Sequence, residues 1–385
     1  MLKISNLGPN AFKSYIKQKK VYIYGAGRSL ESCIDIYFEN KKICKIVDNN
    51  PELWGKRIKH GQDDIEIIGL NRLKEEVFKS EKISDNLIMI SSPFYAAEII
   101  EELDKIPELD GIECFLQILI RNTREEIKPF EFSKGISKIP KKIHYIWIGG
   151  KELPDDYKRN IESWKKFNPD YEIIRWDESN YDFKKIPYMK EAYESKAWGF
   201  VPNYARLNII YQYGGIYLDT DVEVLKSLNP LLNDNAFFSL GCADRINQGC
   251  GFGAMAGHSI VLDMMKEFEK TKFLLENGQP GKKPCHTFIH PVIKKYGFEI
   301  CNKYQKRNGV VVYPNEVMSP LTIFDTEDFI SEKTISLHKE SGTWKNEREK
   351  DGINKLKKLI REGRINNVNG ELEEGANYDS IGVKI

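Results

Sequence analysis

Two carboxylates, Asp219 and Asp221, stand one residue apart directly after a short apolar run in the segment GGIYLDTDVEV, residues 214–224. Glu223 follows on the same alternation. Carboxylates clustered in this way repel one another unless a cation or solvent lies between them. Hard divalent cations take oxygen ligands and bridge carboxylates to diphosphate oxygens. The pair therefore indicates either a divalent cation beside a phosphate-bearing ligand or two solvated surface carboxylates. Such a cation neutralises the charge that develops on a leaving diphosphate.

Three further side chains with suitable chemistry stand elsewhere in the chain. Trp147 ends an apolar run and either stacks on a base or belongs to the core. Arg206 lies on a predicted helix 13 residues ahead of Asp219, where it either clamps a phosphate or forms a surface ion pair. His338, in ISLHKESGTW, either binds a metal such as Mn²⁺ or makes an ordinary hydrogen bond.

Strands and a helix must bring these side chains together. IHYIWIGG (143–150) and YEIIRWDESN (171–180) predict strands that end in polar or glycine turns. WGFVPNYARLNIIYQYGG (198–215) has apolar residues at helical spacing and ends in two glycines, which is typical of a helix C-terminus. IYLDTD (216–221) predicts the next strand, with both carboxylates at its C-terminal end, where open α/β sheets bind ligands.

An earlier block of the chain predicts a separate parallel sheet, since strands alternate with helical segments. Its turn Gly25-Ala26-Gly27, followed by Asp48 at a strand end, is typical of a dinucleotide-binding turn, but Leu30 replaces the third glycine of that pattern. Two interpretations stay open: a bound NAD or similar ligand, and a structural or substrate-sensing domain. The predicted strands are VYIYGAG (21–27), ICKIVDNN (43–50), IEII (65–68), NLIMISS (86–92) and IECFL (112–116).

The predicted fold class is α/β. A polar connection at residues 121–142 separates the blocks, so we expect a Rossmann-like domain at 1–125, a second α/β domain at 126–350, and a basic C-terminal helix and tail at 351–385. The basic amphipathic stretch INKLKKLIREGRI (353–365) either makes a peripheral contact with an anionic membrane or packs on its own domain.

Composition excludes several classes of protein. The formal net charge of +1 provides no concentrated positive field for nucleic acid. Seven scattered cysteines without a CxxC pair favour reduced thiols over a disulfide framework or a zinc site. With no run of about 18 apolar residues and no secretion signal at the N-terminus, we expect a cytoplasmic protein, either free or at the inner face of the membrane.

The segments IHYIWIGG, WDESN, YARLxxxYxxGGxYLDTD and a late H…W together resemble glycosyltransferase family 32, the sugar-binding region containing the DxD motif, over residues 139–344. The resemblance implies a GT-A fold, a capsular polysaccharide-type enzyme, a nucleotide-sugar donor (most often a UDP-sugar), Mn²⁺ or Mg²⁺, and retention of the anomeric configuration. It also implies a saccharide or lipid-linked oligosaccharide acceptor in surface-polysaccharide synthesis. The N-terminal block resembles the Rossmann-like domain often attached to such enzymes.

The resemblance also implies roles for individual residues. Nucleotide-sugar contacts are expected from Trp147, Asn180, Asn203, Arg206, Tyr217, Asp219 and Trp344. Metal ligands are expected from Asp221, Asp219 and His338, and the catalytic set is Asp219, Asp221 and Arg206. From the glycine-rich segment 244–258, Asn247 and Gln248 are candidates for contact with the donor or acceptor sugar.

One residue departs from the family pattern: Asn203 stands where relatives have an aspartate that holds donor-sugar hydroxyls. The change indicates a shifted specificity, a reduced activity or a substitution that traps a complex. Two other functions therefore stay open. One is a non-catalytic sugar-nucleotide-binding or scaffolding protein with a weakened site. The other is a Mg²⁺-dependent phosphatase that uses the DTDVE segment, although no acid pair of the required kind stands out downstream.

Overall fold

The computed structural model describes residues 1–27, 29–38, 41–80, 82–123, 127–241, 245–321, 330–339 and 347–365. The chain forms two compact units. Unit 1 comprises Met1–Glu125 with Thr343–Ile385, and unit 2 comprises Glu126–Gly342. The C-terminal stretch therefore belongs with unit 1, whereas the sequence-based division treats it as a separate segment.

Unit 1 is built on a seven-stranded sheet whose strands run parallel except at one edge. The strands are β1 (Lys3–Ile4), β2 (Lys20–Tyr24), β3 (Ile43–Val47), β4 (Arg57–His60), β5 (Asp63–Ile68), β6 (Asn86–Ile90) and β7 (Glu113–Leu116). The helices are α1 (Pro9–Tyr15), α2 (Leu30–Tyr37), α3 (Leu70–Phe78), α4 (Ala96–Leu103) and α5 (Gln117–Asn122). The order β1-β7-β6-β2-β3-β5-β4 buries the Val/Ile-rich central strands on both faces, as parallel sheets require. All five strands predicted for this block are confirmed.

Unit 2 is built on a mixed sheet with the path β15-β16-β12-β14-β10-β8-β9, while β13 pairs with β12, and β11 pairs separately with β17. The strands are β8 (Lys142–Ile146), β9 (Glu172–Trp176), β10 (Gly215–Tyr217), β11 (Val222–Val224), β12 (Ala236–Gly241), β13 (Arg245–Ile246), β14 (Phe252–Ala254), β15 (Gln305–Arg307), β16 (Val310–Tyr313) and β17 (Ser336–His338). The helices are α6 (Asp155–Phe167), α7 (Pro187–Glu194), α8 (Pro202–Tyr213), α9 (Ser259–Glu269), α10 (His286–Lys295) and α11 (Asn315–Met318). Parallel pairing joins β8 to both β9 and β10, so their C-terminal ends share one edge. The predicted α/β class is confirmed.

Helix α8 passes directly into strand β10 through two glycines with positive φ, Gly214 at 63° and Gly215 at 108°. A β-carbon on Gly215 would lie 2.8 Å from the carbonyl oxygen of Lys142 and 3.0 Å from Nε2 of His144. The close approach of β10 to β8 therefore requires glycine here. This tight turn places the end of β10 only a few residues after the helix, as the predicted helix stop implied.

The basic C-terminal helix is present as α12 (Glu347–Arg361), and it packs on α4 within unit 1. Leu356 and Gly352 are buried, and Nζ of Lys355 pairs with Oε1 of Glu98 at 2.9 Å. Of the two interpretations of this stretch, the structure shows packing on its own unit. Within the described part of the chain, no helix combines the length and apolar composition needed to span a bilayer.

A buried histidine in β8 makes unit 2 sensitive to acid. Nδ1 of His144 accepts a hydrogen bond from Nε1 of Trp176 at 3.1 Å, so the proton is on Nε2, which donates to the carbonyl of Gly214 at 2.9 Å. Burial lowers the pKa of His144 from 6.5 to about 4. The folded chain thus keeps this imidazole neutral at pH values where the unfolded chain protonates it.

Above about pH 6.5, we expect protonation of His144 to leave the free energy of unfolding unchanged. As the pH drops from there towards 4, the free energy of unfolding should fall. The slope attributable to this one group is about 1.4 kcal/mol per pH unit at most. Urea unfolding at pH 7.5, 6.0 and 5.0 measures it. His144→Gln keeps a donor for Gly214 but does not titrate, so its slope should be shallower. An unchanged slope in that variant would contradict the assignment.

Candidate active site

The two carboxylates lie in the short turn that joins β10 to β11. The backbone N–H of Asp219 donates to the carbonyl of Gly249 at 3.0 Å, and the N–H of Val222 donates back to the Asp219 carbonyl at 3.1 Å. In the β11–β17 ladder Val222 pairs with His338. The result is a group of ligand atoms from Asp219, Asp221 and His338 that all lie within 4.8 Å of one another.

Helix α6 holds the backbone of this turn in place. Nδ2 of Asn160 donates to the carbonyl of Thr220 at 2.8 Å, and Nε1 of Trp164 donates to the carbonyl of Val222 at 2.8 Å. Asn160 and Trp164 are four residues apart, so they share one helix face. Neither residue was predicted from the sequence, because a helical spacing shows which residues share a face but not which strand that face contacts.

The guanidinium of Arg206 is buried beside the first carboxylate. Its Nη1 lies 3.7 Å from Oδ1 of Asp219, and its Nε donates to the carbonyl of Pro202 at 3.0 Å. Burial by itself would lower the pKa of Arg206, but the negative charge of Asp219, followed by Tyr217, outweighs it and raises the pKa. Arg206 is therefore a permanent buried cation. Its ion pair is buried, so the alternative of a surface ion pair is wrong, and its contact with a phosphate stays a prediction.

Tyr217 lies beneath this ion pair. Its ring centroid is 5.0 Å from Cζ of Arg206, a cation–π contact, and its hydroxyl donates to Oδ1 of Asp219 at 2.9 Å. Burial first, and then the charge of Asp219, raises the pKa of Tyr217 well above 10.0. The phenol therefore stays protonated and serves as a fixed donor to the carboxylate.

Asn203 is buried one helical turn before Arg206. Its Oδ1 accepts from Nη2 of Arg206 at 3.4 Å, and its Nδ2 donates to the hydroxyl of Tyr188 at 3.3 Å. Tyr188, on α7, was not singled out in the sequence. An aspartate at 203 would keep the Arg206 contact and would accept from Tyr188 instead of donating to it.

The segment of residues 247–249 lies against the carboxylates. Oδ1 of Asn247 accepts from the N–H of Gly249 at 2.9 Å, and Nδ2 of Asn247 lies 3.4 Å from Nδ1 of His338. Gln248 is fully buried, and its side-chain amide has no hydrogen-bond partner among the described residues. A β-carbon on Gly249 would lie 2.2 Å from Oδ2 of Asp219, so only glycine lets this carboxylate take its position.

Of two other predicted site residues, Trp147 packs against the hydrophobic core of unit 2, and Asn180 makes side-chain hydrogen bonds within its own turn. Nε1 of Trp147 donates to the carbonyl of Lys151 at 2.6 Å, and the half-buried ring packs edge-on against Tyr157. Asn180 is exposed and closes its own turn, accepting from the N–H of Asp177 at 2.9 Å. Their nucleotide contacts stay predictions. Trp344 lies outside the described residues.

In unit 1, the turn that is typical of dinucleotide binding is closed by the chain's own carboxylate. Oδ2 of Asp48 accepts from the N–H of Ala26 at 2.7 Å, and Oδ1 accepts from the N–H of Asn50 at 2.9 Å. Asp48 thus ties the Gly25–Gly27 turn to the end of β3. The bound NAD or similar ligand and the structural or substrate-sensing domain both stay predictions.

The donor set around Asp219 and Asp221 fits a divalent cation. Two carboxylates offer hard oxygen ligands, and a histidine nitrogen lies within the same 4.8 Å group, a combination that suits Mg²⁺ or Mn²⁺. Arg206 and Tyr217 engage one oxygen of Asp219, and Asp221 is partly exposed beside it. Such a site can hold a cation between carboxylates and an incoming phosphate.

Comparison with known proteins shows what this region is similar to. Residues 154–238 match the family model described as "Glycosyltransferase sugar-binding region containing DXD motif". This segment is therefore similar to the sugar-binding region of DXD-type glycosyltransferases. The match includes Asn203, Arg206 and both carboxylates; Asn247, Gln248 and His338 lie beyond it.

Among individual proteins, inositol phosphoceramide mannosyltransferase 3 of Schizosaccharomyces pombe is 31% identical over 146 residues, 37% of this chain and 40% of that protein. Mannosyl phosphorylinositol ceramide synthase SUR1 of Saccharomyces cerevisiae is 29% identical over 139 residues, 34% and 35% of the two chains. The chain thus matches less than half the length of either relative. Among solved structures, PaToxG glycosyltransferase aligns with a TM-score of 0.32 and 16% identity over 41% of this chain and 68% of that one.

Adding a single methyl group at Gly249 tests the position of Asp219. We expect Gly249→Ala to weaken Mn²⁺ binding at least about tenfold, because the new β-carbon would displace the carboxylate, while the fold is retained. Isothermal titration with Mn²⁺ measures the affinity, and a melting curve shows whether the fold is retained. Gly257→Ala is the control, since its β-carbon would meet nothing within 4 Å. The φ of Gly257 is 73° whereas that of Gly249 lies outside the left-handed region, so the control carries the larger backbone strain of the two variants. Equal Mn²⁺ affinities in the two variants would contradict the prediction.

Proposed function

We propose that this protein is a metal-dependent glycosyltransferase that moves a hexose from a nucleotide sugar to a saccharide-bearing acceptor with retention of configuration. The observation that carries the proposal is the group of Asp219, Asp221 and His338 within 4.8 Å, built on the DXD segment beside a buried arginine. A cation held by two carboxylates at a strand end suits a nucleoside diphosphate, whose charge it offsets.

The relatives narrow the range of sugars and acceptors. Both yeast proteins are named for mannosyl transfer or mannosyl products on inositol-containing ceramides. Mannose is therefore the first hexose to test, beside the UDP-sugars that the family resemblance implies. We propose a lipid-linked or free saccharide acceptor, with a role in surface-polysaccharide synthesis resting on that resemblance.

The chain's own residues position and compensate charge rather than supply a nucleophile. Asp219 and Asp221 would hold Mn²⁺ or Mg²⁺, which supplies Lewis-acid stabilisation of a leaving diphosphate when bound. Arg206 and Tyr217 fix one oxygen of Asp219, so the carboxylate is oriented before any ligand binds. We propose that the acceptor hydroxyl attacks from the face that the diphosphate leaves, a process that depends on positioning and charge stabilisation.

Nucleotide titration of an Asp221 variant tests this proposal. We expect UDP or GDP to bind the protein in a Mn²⁺-dependent manner, and Asp221→Asn to weaken that binding at least about tenfold, since an amide oxygen replaces a charged ligand. Calorimetric titration of UDP and of GDP, with Mn²⁺ and with EDTA, gives the affinities.

Glu223→Gln is the matched control, because this carboxylate lies two residues from Asp221 and pairs with Nζ of Lys339 at 2.7 Å. It does not belong to the group of Asp219, Asp221 and His338. It should retain wild-type nucleotide affinity. Failure of the wild-type protein to bind either nucleotide with Mn²⁺ would refute the transferase site and leave the scaffolding interpretation.

The asparagine at position 203 provides a second test. We expect Asn203→Asp to raise turnover of the donor about tenfold, because hydrogen bonds from sugar hydroxyls to a carboxylate are stronger than those to an amide. Release of the nucleoside diphosphate from UDP- and GDP-hexoses measures this rate.

Asn208→Asp is the control, since Asn208 is a second buried asparagine on α8 whose Oδ1 accepts from the hydroxyl of Tyr181 at 2.9 Å. This variant should leave turnover unchanged. A loss of turnover in Asn203→Asp alone would show that the asparagine is matched to this chain's own donor.

A further inference from the structure

His338 lies between a carboxylate and a side-chain amide, and each neighbour faces one of its two ring nitrogens. Its Nε2 is 3.3 Å from Oδ1 of Asp221, and its Nδ1 is 3.4 Å from Nδ2 of Asn247. A neutral imidazole carries one proton, on either Nδ1 or Nε2. Which nitrogen carries it decides what His338 does beside the carboxylates.

The orientation of Asn247 answers that question. Its Oδ1 accepts from the backbone N–H of Gly249 at 2.9 Å, so its Nδ2 is the atom that faces His338. An amide nitrogen donates hydrogen bonds and does not accept them. The contact therefore requires a lone pair on Nδ1 of His338, which leaves the proton on Nε2, directed at Asp221.

A histidine that binds a metal through Nε2 has the opposite arrangement. Its Nε2 offers the lone pair to the metal, and its Nδ1 carries the proton and donates it to a carboxylate, a carbonyl or water. Here Nδ1 of His338 faces a donor, and Nε2 faces a carboxylate that accepts a proton.

We propose that His338 is a positioning residue, which donates from Nε2 to Asp221 and orients that carboxylate, and that Asn247 selects the tautomer. Direct ligation of the cation by His338, as the family resemblance implies, is thereby replaced by action through Asp221. As far as it concerns the cation, this inference rests on the proposed function.

The backbone around the ring supports a positioning role. The N–H of Lys339 donates to the carbonyl of Asp221 at 3.0 Å, and His338 pairs with Val222 in the β11–β17 ladder. Nζ of Lys339 also pairs with Glu223 at 2.7 Å. The turn at Asp221 is thus held to the end of β17 through its main chain, and the contact between Nε2 of His338 and the Asp221 carboxylate adds an attachment through the side chain.

The tautomer can be read without any metal. In the metal-free wild-type protein at pH 8, long-range ¹H–¹⁵N correlation spectra of ¹⁵N-labelled histidine should show His338 protonated at Nε2, with the signal assigned by its loss in His338→Gln. Asn247→Asp should move the proton to Nδ1, because a carboxylate accepts at that position. A wild-type Nδ1–H tautomer would overturn the inference, whatever the nucleotide titrations show.

Pulsed EPR on bound Mn²⁺ tests the consequence. The wild-type protein should show no ¹⁴N coupling from a directly bound imidazole, whereas Asn247→Asp, which frees the Nε2 lone pair, should acquire one. Asn208→Asp adds the same charge on α8 and should resemble wild type. His338→Gln, which retains an N–H donor for Asp221, should hold Mn²⁺ within about threefold of wild type, and His338→Ala should lose at least about tenfold.

The outcomes separate the two proposals. Direct ¹⁴N coupling in the wild type would overturn the positioning role and leave the transferase proposal standing. Absence of any bound Mn²⁺ would refute the metal-dependent function and, with it, the part of the inference that concerns the cation. The NMR result decides the tautomer in either case.

Discussion

A guanidinium removed from water needs charge compensation and hydrogen-bond acceptors, since the effective penalty for burying an unpaired ion is several kcal/mol. Arg206 meets that condition with acceptors from its own helix, Pro202 and Asn203, and with the carboxylate of Asp219. The position of Asp219 is therefore set by the folded protein before any ligand binds. Because Tyr217 donates to the same oxygen and stays protonated, the carboxylate remains an anion directed at one edge of the sheet.

The backbone that brings this pair together depends on very close packing. Helix α8 ends at Tyr213, and strand β10 begins two residues later, at Gly215. A side chain at Gly215 would collide with Lys142 and His144 of β8, so the glycine permits β10 to lie beside that strand. The neutral ring of His144 then donates to the carbonyl of Gly214 and secures the turn. Thus the spacing between Arg206 and Asp219 works only with this turn between them.

Much of the fold could be predicted from local patterns, because strand alternation, helical spacing and a helix stop at two glycines each involve only residues that are close in sequence. Asp219, Asp221 and Arg206 could be predicted as site residues for the same reason. Asn160 and Trp164 were not, because their contacts with the β10–β11 turn cross about 60 residues of chain. Tyr188 could not be predicted as a site residue either, because its hydroxyl meets Asn203 only when α7 packs beside that residue.

Side-chain contacts also decide between roles that a residue type leaves open. The sequence of residues 353–365 is compatible with a membrane-surface helix and with a packed one, and the contact of α12 with α4 distinguishes the two. In the same way, the residue type of His338 fits both a metal ligand and a hydrogen-bond donor. The direction of one amide, that of Asn247, favours the second role.

The register of β11 against β17 brings Asp221 and His338 into contact. Asp221 and His338 are far apart in the chain and meet because Val222 pairs with His338 across the antiparallel β11–β17 ladder. A slip of one residue would turn the imidazole to the opposite face and remove its contact with Asp221. The ladder has only three residue pairs, so it depends on added contacts, among them the hydrogen bonds from α6. A ligand that binds the carboxylates in this register alone would stabilise the pairing by mass action. Cation binding and the local order of this two-stranded element are therefore thermodynamically linked.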